Sequence, residues 1–163
     1  MASALKNLDI QKALPLRDYS EYTVGIVVSE WNSEITDALF KGAYDSLLKS
    51  GVKEENIVIS TVPGSYELCF GAAAMSSQPL IQAVICLGCV IQGETRHFDF
   101  ICSAVANGLI DVSLKYAKPV IFGVLTTDTL EQAQDRAGGK HGNKGTEAAI
   151  TALKMSDHYI HKA

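Results

Sequence analysis

Short apolar runs alternate along the chain with longer segments whose apolar residues recur every three or four positions. The first run, Tyr22 to Ser29 (YTVGIVVS), has the β-branched composition of a buried strand. Ser33 to Ser50 follows with Ile35, Ala38, Leu39, Gly42, Ala43 and Leu47 on one helical face, and Gly51 as its C-terminal stop. Asn56 to Val62 is predicted as a second strand, and Ser65 to Ser77, after Pro63-Gly64, as a second helix. Ile81 to Val90 makes a third strand. His97 to Ala117 makes a third helix, with Phe98, Ile101, Val105, Leu109, Val112 and Tyr116 in step. Pro119 to Leu125 is the fourth strand. Asp128, with Glu131 three residues on, resembles a capping box for a short helix to Ala137 that Gly138-Gly139 ends, and a last helix spans Gly145 to Tyr159. Repeated strand-helix units with fully apolar strands predict a parallel sheet covered on both faces, a three-layer α/β/α sandwich.

Composition narrows the function classes. The chain has 163 residues, 47% hydrophobic and 20% charged, with a formal net charge of −4, which suits one domain. No basic run marks a nucleic-acid surface. The longest apolar run, Ala83 to Ile91, is far shorter than the roughly 20 residues of a membrane-spanning helix. The N-terminus lacks the continuous apolar stretch of a secretory signal, so the chain reads as cytoplasmic. Of the cysteines at 69, 86, 89 and 102, Cys86 and Cys89 form a C-x-x-C pair inside a strand, where residues three apart point to opposite faces. Buried thiols fit this pair better than a metal site, and no metal is expected.

In parallel sheets ligands bind beyond the carboxyl ends of the strands, so the candidate chemistry is sought there. After the first strand come Ser29, Glu30, the lone tryptophan Trp31, and Asn32. At a strand end Trp31 can stack on a flat ligand, although tryptophan most often serves packing. After the second comes Val62-Pro63-Gly64-Ser65-Tyr66-Glu67, in which Glu67 either faces the ligand crevice or only stabilises a helix start. The third end carries Cys89, Val90, Ile91, Gly93, Glu94, Thr95, Arg96 and His97, a glycine-flanked loop feeding a helix and hence an anion site. His97 there is either a proton carrier beside a bound anion or a surface histidine. Beyond the fourth strand, Arg136 to Gly145 concentrates Arg136, Lys140, His141 and Lys144 in a glycine-rich loop. Arg136 suits a phosphate fork; the alternative is a solvated helix end with favourable cations. Neither G-x-G-x-x-G after the first strand nor G-x-x-x-x-G-K-[ST] occurs, and no G-x-S-x-G elbow is present.

Five blocks in order, VVSEWN, TVPGSYEL, GCVIQGETRHFDFI, PVIFGVLTTDTLEQAQDRAG and GNKGTEAA, resemble the lumazine synthase family across Tyr22 to Met155. The resemblance implies a flavodoxin-like fold and a transferase of riboflavin biosynthesis with no cofactor. The activity it implies joins 5-amino-6-(D-ribitylamino)uracil to 3,4-dihydroxy-2-butanone 4-phosphate. It places the pyrimidine between Trp31 and Phe122, against the backbone of Cys89, Val90 and Ile91, with the ribityl chain near Ser65, Tyr66 and Glu67. The phosphate falls to Glu94, Thr95 and Arg136, with Lys144 as an additional phosphate-side residue, and proton transfer falls to His97.

The same resemblance implies a homo-oligomer, a pentamer, in which Phe122 and Arg136 enter the site from the neighbouring subunit. The short segment Gly138 to Gly145 favours closure of pentamers into an icosahedral shell, and riboflavin synthase is a further expected partner. Residues 1–21 are expected to lie along a neighbour's sheet edge, having little core of their own to join. Departures from the family pattern are Cys69, where many members have proline, and Trp31, where some have phenylalanine; Arg96 fills a variable slot. Two rival classes are a flavin-binding or shell-forming protein without catalysis and a flavodoxin-like electron carrier. The second lacks its Ser/Thr-rich loop after the first strand.

Overall fold

The computed structural model describes residues 18–157, with side chains to Met155. The elements are β1 (Val24–Ser29), α1 (Ser33–Lys49), β2 (Ile57–Val62), α2 (Leu68–Ser76), β3 (Ala83–Ile91), α3 (His97–Tyr116), β4 (Val120–Thr127), α4 (Leu130–Gln134), β5 (Ala137–Gly139), β6 (Gly142–Asn143) and α5 (Lys144–Asp157). A single 3₁₀ turn, Glu54–Asn56, precedes β2. The first four strands form one parallel sheet in the order β2-β1-β3-β4. The chain builds outward from β1 to β2 and then returns past β1 to β3, so the strand ends of β1 and β3 flank a topological switch point.

The pleat sorts the central strands between two cores. Ala83, Ile85, Leu87 and Cys89 of β3, with Val24, Ile26 and Val28 of β1, pack against Ile35, Leu39, Ala43 and Leu47 of α1 and Ala149, Ala152 and Leu153 of α5. Val84 and Cys86, with Val27, meet Leu68, Ala72 and Met75 of α2 and Val105, Leu109 and Val112 of α3 on the other face. This is the expected three-layer α/β/α sandwich. Among the described residues no helix is long and apolar enough to cross a membrane.

Several local expectations are corrected. The outer strand β2 is not covered: Val58, Ile59, Ser60 and Thr61 are all exposed. Helices seated over the sheet centre do not reach both faces of its edge. Helix α2 begins at Leu68 rather than Ser65, because Ser65 to Glu67 form a turn closed by Leu68 N donating to Ser65 O at 3.3 Å. Strand β4 runs on to Thr127, so the cap of α4 shifts: the Thr129 hydroxyl accepts from Gln132 N at 3.3 Å, while Asp128 N donates to the Gln132 side chain at 3.0 Å. Gly138 and Gly139 do not merely stop a helix. Gly138 (φ 128°) and Gly142 (φ 73°) adopt left-handed backbone and fold the segment into the antiparallel hairpin β5-β6. Helix α5 starts at Lys144, and Tyr159 lies outside the described residues. So do residues 1–17, while Tyr19 is 1% exposed and packs edge-on to Tyr22 in the chain's own core, 5.2 Å between ring centroids.

The hairpin is locked to the core by one side chain. Asn143 Oδ1 accepts from Gly145 N at 2.8 Å and Thr146 N at 3.3 Å, capping α5, while Nδ2 donates to Ala38 O of α1 at 2.8 Å and to Ala137 O at 3.2 Å. A Cβ at Gly42 would strike this amide, and one at Gly145 would overlap the Leu39 carbonyl, so α1 and α5 meet backbone to backbone. Asn143→Ala should destabilise the protein by about 2 to 4 kcal/mol, and Asn143→Asp, which keeps the cap but loses both donors, by less. Urea unfolding of the two variants checks the order.

The thiols of the C-x-x-C pair lie in different cores, Cys89 beside α1 and Cys86 beneath α2 and α3. Burial pushes the Cys89 thiol up to about 11 and holds Cys86 higher still. Both should remain thiols at pH 8 and resist a disulfide reagent until the protein unfolds; prompt native-state labelling of either, read by mass spectrometry, would contradict this.

Candidate active site

The carboxyl ends of β1, β2 and β3 are tied into one ledge. Glu30 N donates to Val62 O at 2.8 Å and Trp31 N to Pro63 O at 3.1 Å, joining the loop after β1 to the turn after β2. Asn32, at left-handed φ 61° and ψ 47°, sends Nδ2 to Cys89 O at 2.9 Å and so joins the same loop to β3. Asparagine tolerates this backbone better than most residues. With its loop fixed on both sides, the Trp31 ring is 72% exposed and forms an open aromatic platform.

Beneath the ledge, Ser29 and Ser65 are buried and their hydroxyls have no partner among the described residues. Both approach Gly88, where a Cβ would lie 2.7 Å from Ser65 Oγ and 3.3 Å from Ser29 Oγ. Tyr66 and Glu67 stand exposed above them, with Glu67 Oε2 folded toward Gly64. On β3, Cys89 is buried while Val90 and Ile91 are half-buried.

The loop from β3 to α3 has the features of an anion site. The N–H groups of Glu94, Thr95 and Arg96 find no acceptor among the described residues. The Thr95 hydroxyl accepts from His97 N at 3.4 Å and so leaves its own proton to donate outward. His97 opens the 20-residue helix α3 with its ring exposed and unpartnered among the described residues, at the positive end of the macrodipole. Arg96 Nε lies 3.5 Å from Asp99 Oδ2 on the surface, a pair of little energetic weight.

Phe122, Arg136 and Lys144 are elsewhere. Phe122 lies opposite Cys86 in the middle of the edge strand β4, two inter-strand spacings, about 10 Å, from β1. Its ring is 43% exposed and lines a groove of about 560 Å³ along the outer side of β4 with Arg136, His141, Lys144 and Glu147. None of the groove's residues belongs to the set at the ends of β1, β2 and β3, and within one chain Trp31 and Phe122 are not brought together.

The groove is less basic than its sequence suggests. Lys144 Nζ is 2.6 Å from Glu147 Oε1, the side chains 21% and 8% exposed, so this expected phosphate-side cation is already paired. Lys140 Nζ is 2.7 Å from Asp135 Oδ2 and holds that carboxyl below the usual carboxylate range. Arg136 donates from Nη1 to Gln132 O at 2.9 Å. The pairing of Lys144 with Glu147 has a sequence signal in their i,i+3 spacing on the last helix. The role of Asn32 has no comparable signal, since its partner Cys89 is distant in the chain.

The family model described as 6,7-dimethyl-8-ribityllumazine synthase matches residues 21–159. A protein named 6,7-dimethyl-8-ribityllumazine synthase from Cytophaga hutchinsonii is 60% identical over 155 residues, covering 95% of this chain and 97% of the relative. Proteins of the same name from Parabacteroides distasonis and Porphyromonas gingivalis are 53% and 49% identical, over 95% and 96% of this chain and 97% of each relative. These matches take in the ledge, the anion loop and the β4 groove alike, and with them the chain belongs to the 6,7-dimethyl-8-ribityllumazine synthase family.

Proposed function

We propose that the protein condenses 5-amino-6-(D-ribitylamino)uracil with 3,4-dihydroxy-2-butanone 4-phosphate to 6,7-dimethyl-8-ribityllumazine, releasing phosphate and water. Family membership supports the reaction. The observation that carries the site reading is the separation of two complementary halves. The strand-end ledge offers a flat platform, backbone groups and an anion loop; the β4 groove offers a second aromatic ring and an arginine. A pyrimidine sandwiched between Trp31 and Phe122 therefore needs Phe122 from another copy.

In this reading Trp31 and the Cys89 to Ile91 backbone hold the pyrimidine, and Ser65, Tyr66 and Glu67 hold the ribityl chain. Unsatisfied hydroxyl and carboxylate groups suit a polyol, which both donates and accepts. Glu94 and Thr95 take the phosphate through N–H groups and the Thr95 hydroxyl, and the neighbour's copy of Arg136 closes the clamp. The substrate's 5-amino group is the nucleophile, so no nucleophilic side chain is required. It attacks the ketone, water leaves to form the imine, and the C–O bond to phosphate breaks as a proton is lost from the adjacent carbon. Tautomerisation, ring closure by the ribityl-bearing nitrogen and loss of a second water complete the lumazine. His97 carries protons in these steps, and alignment of the two reactants supplies much of the acceleration.

Assembly is part of the same reading. Helix α3 exposes Phe100, Ile110 and Leu114, and α2 exposes Phe70, all more than half accessible in the single chain. Apolar residues so placed on neighbouring helices favour burial against further copies, in accord with a pentamer as the active unit. The bare β2 edge is a place for a neighbour's residues 1–17. The tight β5-β6 reversal is compatible with closure into a shell, on which riboflavin synthase could act as partner.

The test mixes the purified protein with both substrates and follows lumazine fluorescence against a no-enzyme control. Acceleration is expected, and its absence from a correctly assembled oligomer would move the protein to the flavin-binding or shell class. His97→Ala should lower turnover by about 10² to 10⁴ without abolishing it. Arg136→Ala should raise KM for the butanone phosphate and leave KM for the uracil unchanged.

A further inference from the structure

The basic side chains around the β4 groove differ in what they are already bonded to. Lys144 is held by Glu147 at 2.6 Å and Lys140 by Asp135 at 2.7 Å. Each of these lysines is neutralised by its carboxylate, so neither contributes net positive charge to an incoming anion. Arg136 spends one N–H on the Gln132 carbonyl and keeps the rest of its guanidinium. His141 lines the same groove, and its imidazole has no hydrogen bond or ion pair among the described residues.

The hairpin fixes where that imidazole stands. His141 N donates to Asp135 O at 2.9 Å and Lys144 N to Arg136 O at 2.9 Å, so the turn of the hairpin and the start of α5 are both bonded back to the segment that carries Arg136. The left-handed Gly142 follows His141 directly and turns the chain into the Asn143 cap. His141 and Arg136 both line the groove, so the two side chains share one wall of it. Half-buried His141 is thus set on a braced turn that lines the groove.

We propose that His141 is a second phosphate-binding residue, donating an imidazole N–H to the phosphate of the butanone phosphate beside Arg136. The inference rests on the reading of Arg136 as the phosphate residue. A phosphate monoester presents three terminal oxygens. A guanidinium fork engages two of them, the imidazole supplies a donor for the third, and the N–H groups of the facing copy's anion loop approach from the other side. When the C–O bond breaks, the departing phosphate takes the electron pair, and a fixed donor at its oxygens stabilises the charge it gains.

The experiment uses the full-length assembled protein and inorganic phosphate as a competitive probe against the butanone phosphate, with the uracil saturating. His141→Ala should raise the inhibition constant of inorganic phosphate, and KM for the butanone phosphate, by roughly tenfold, the loss of one hydrogen bond to a charged group. KM for the uracil and the sedimentation profile should not move. His141→Gln, which retains an N–H donor, should recover most of the loss. Should His141→Ala disturb assembly, His141→Phe keeps the ring and removes the donor, with the same expectation. Phosphate inhibition unchanged by removal of the donor overturns the proposal. Arg136→Ala separates the two ways of failing: if it weakens phosphate while His141→Ala does not, only His141 is misassigned. If neither does, the groove is not the phosphate side and the site reading falls with it.

Discussion

Strand β3 must bury both of its faces at once. From Ala83 to Cys89 every residue is inaccessible, alternately toward α1 and α5 and toward α2 and α3. A strand with no polar face requires a helix layer on each side, and connections between parallel strands must then cross over those layers. That requirement places the loops after β1, β2 and β3 at one end of the sheet. The ledge built from Trp31, Ser65 to Glu67 and Glu94 to His97 follows from it.

The same economy leaves the sheet's flanks incomplete. Two helices per face cover β1 and β3 as far as Cys89, while β2 stays bare in its middle and Phe122 of β4 stands half in solvent. An enzyme that closes its site within one chain would gain from covering these edges. Here the Phe122 ring and Arg136 line a groove along such an edge, so the part of the sheet left incompletely buried is also where these two side chains stand. The hairpin after α4 gives this half its rigidity. Asn143 joins α1, α5 and the hairpin through four hydrogen bonds, and the residues it braces include those that face the groove.

Strands and helices were legible where the period was sustained. The apolar face of Ser33 to Lys49 followed from residue spacing, and the burial of Ala83 to Cys89 on both faces from an unbroken apolar run. Misreadings fell where a single bond or a single φ decides. Thr129 rather than Asp128 caps α4 because β4 keeps pairing with β3 as far as Thr127, and no local pattern records how long a partner strand continues. Gly138-Gly139 reads equally well as a helix stop or a reversal, and the antiparallel partner at Gly142–Asn143 selects the second.

For the site, residue types and their order along the chain were enough to mark the strand ends, the anion loop before His97 and the arginine after α4, because each is a local feature of backbone and side-chain chemistry. Charge state was not local. The chain carries Arg136, Lys140, His141 and Lys144 as four neighbours of similar kind, and folding divides them by setting carboxylates against two of them. Nor could residue order reveal that Trp31 and Phe122 lie apart in one copy, since that depends on which strands pair and on how far along β4 the ring sits. Local propensity acts over a few residues, whereas the pairing of strands, and with it the distance between Trp31 and Phe122, depends on groups brought together from distant parts of the chain.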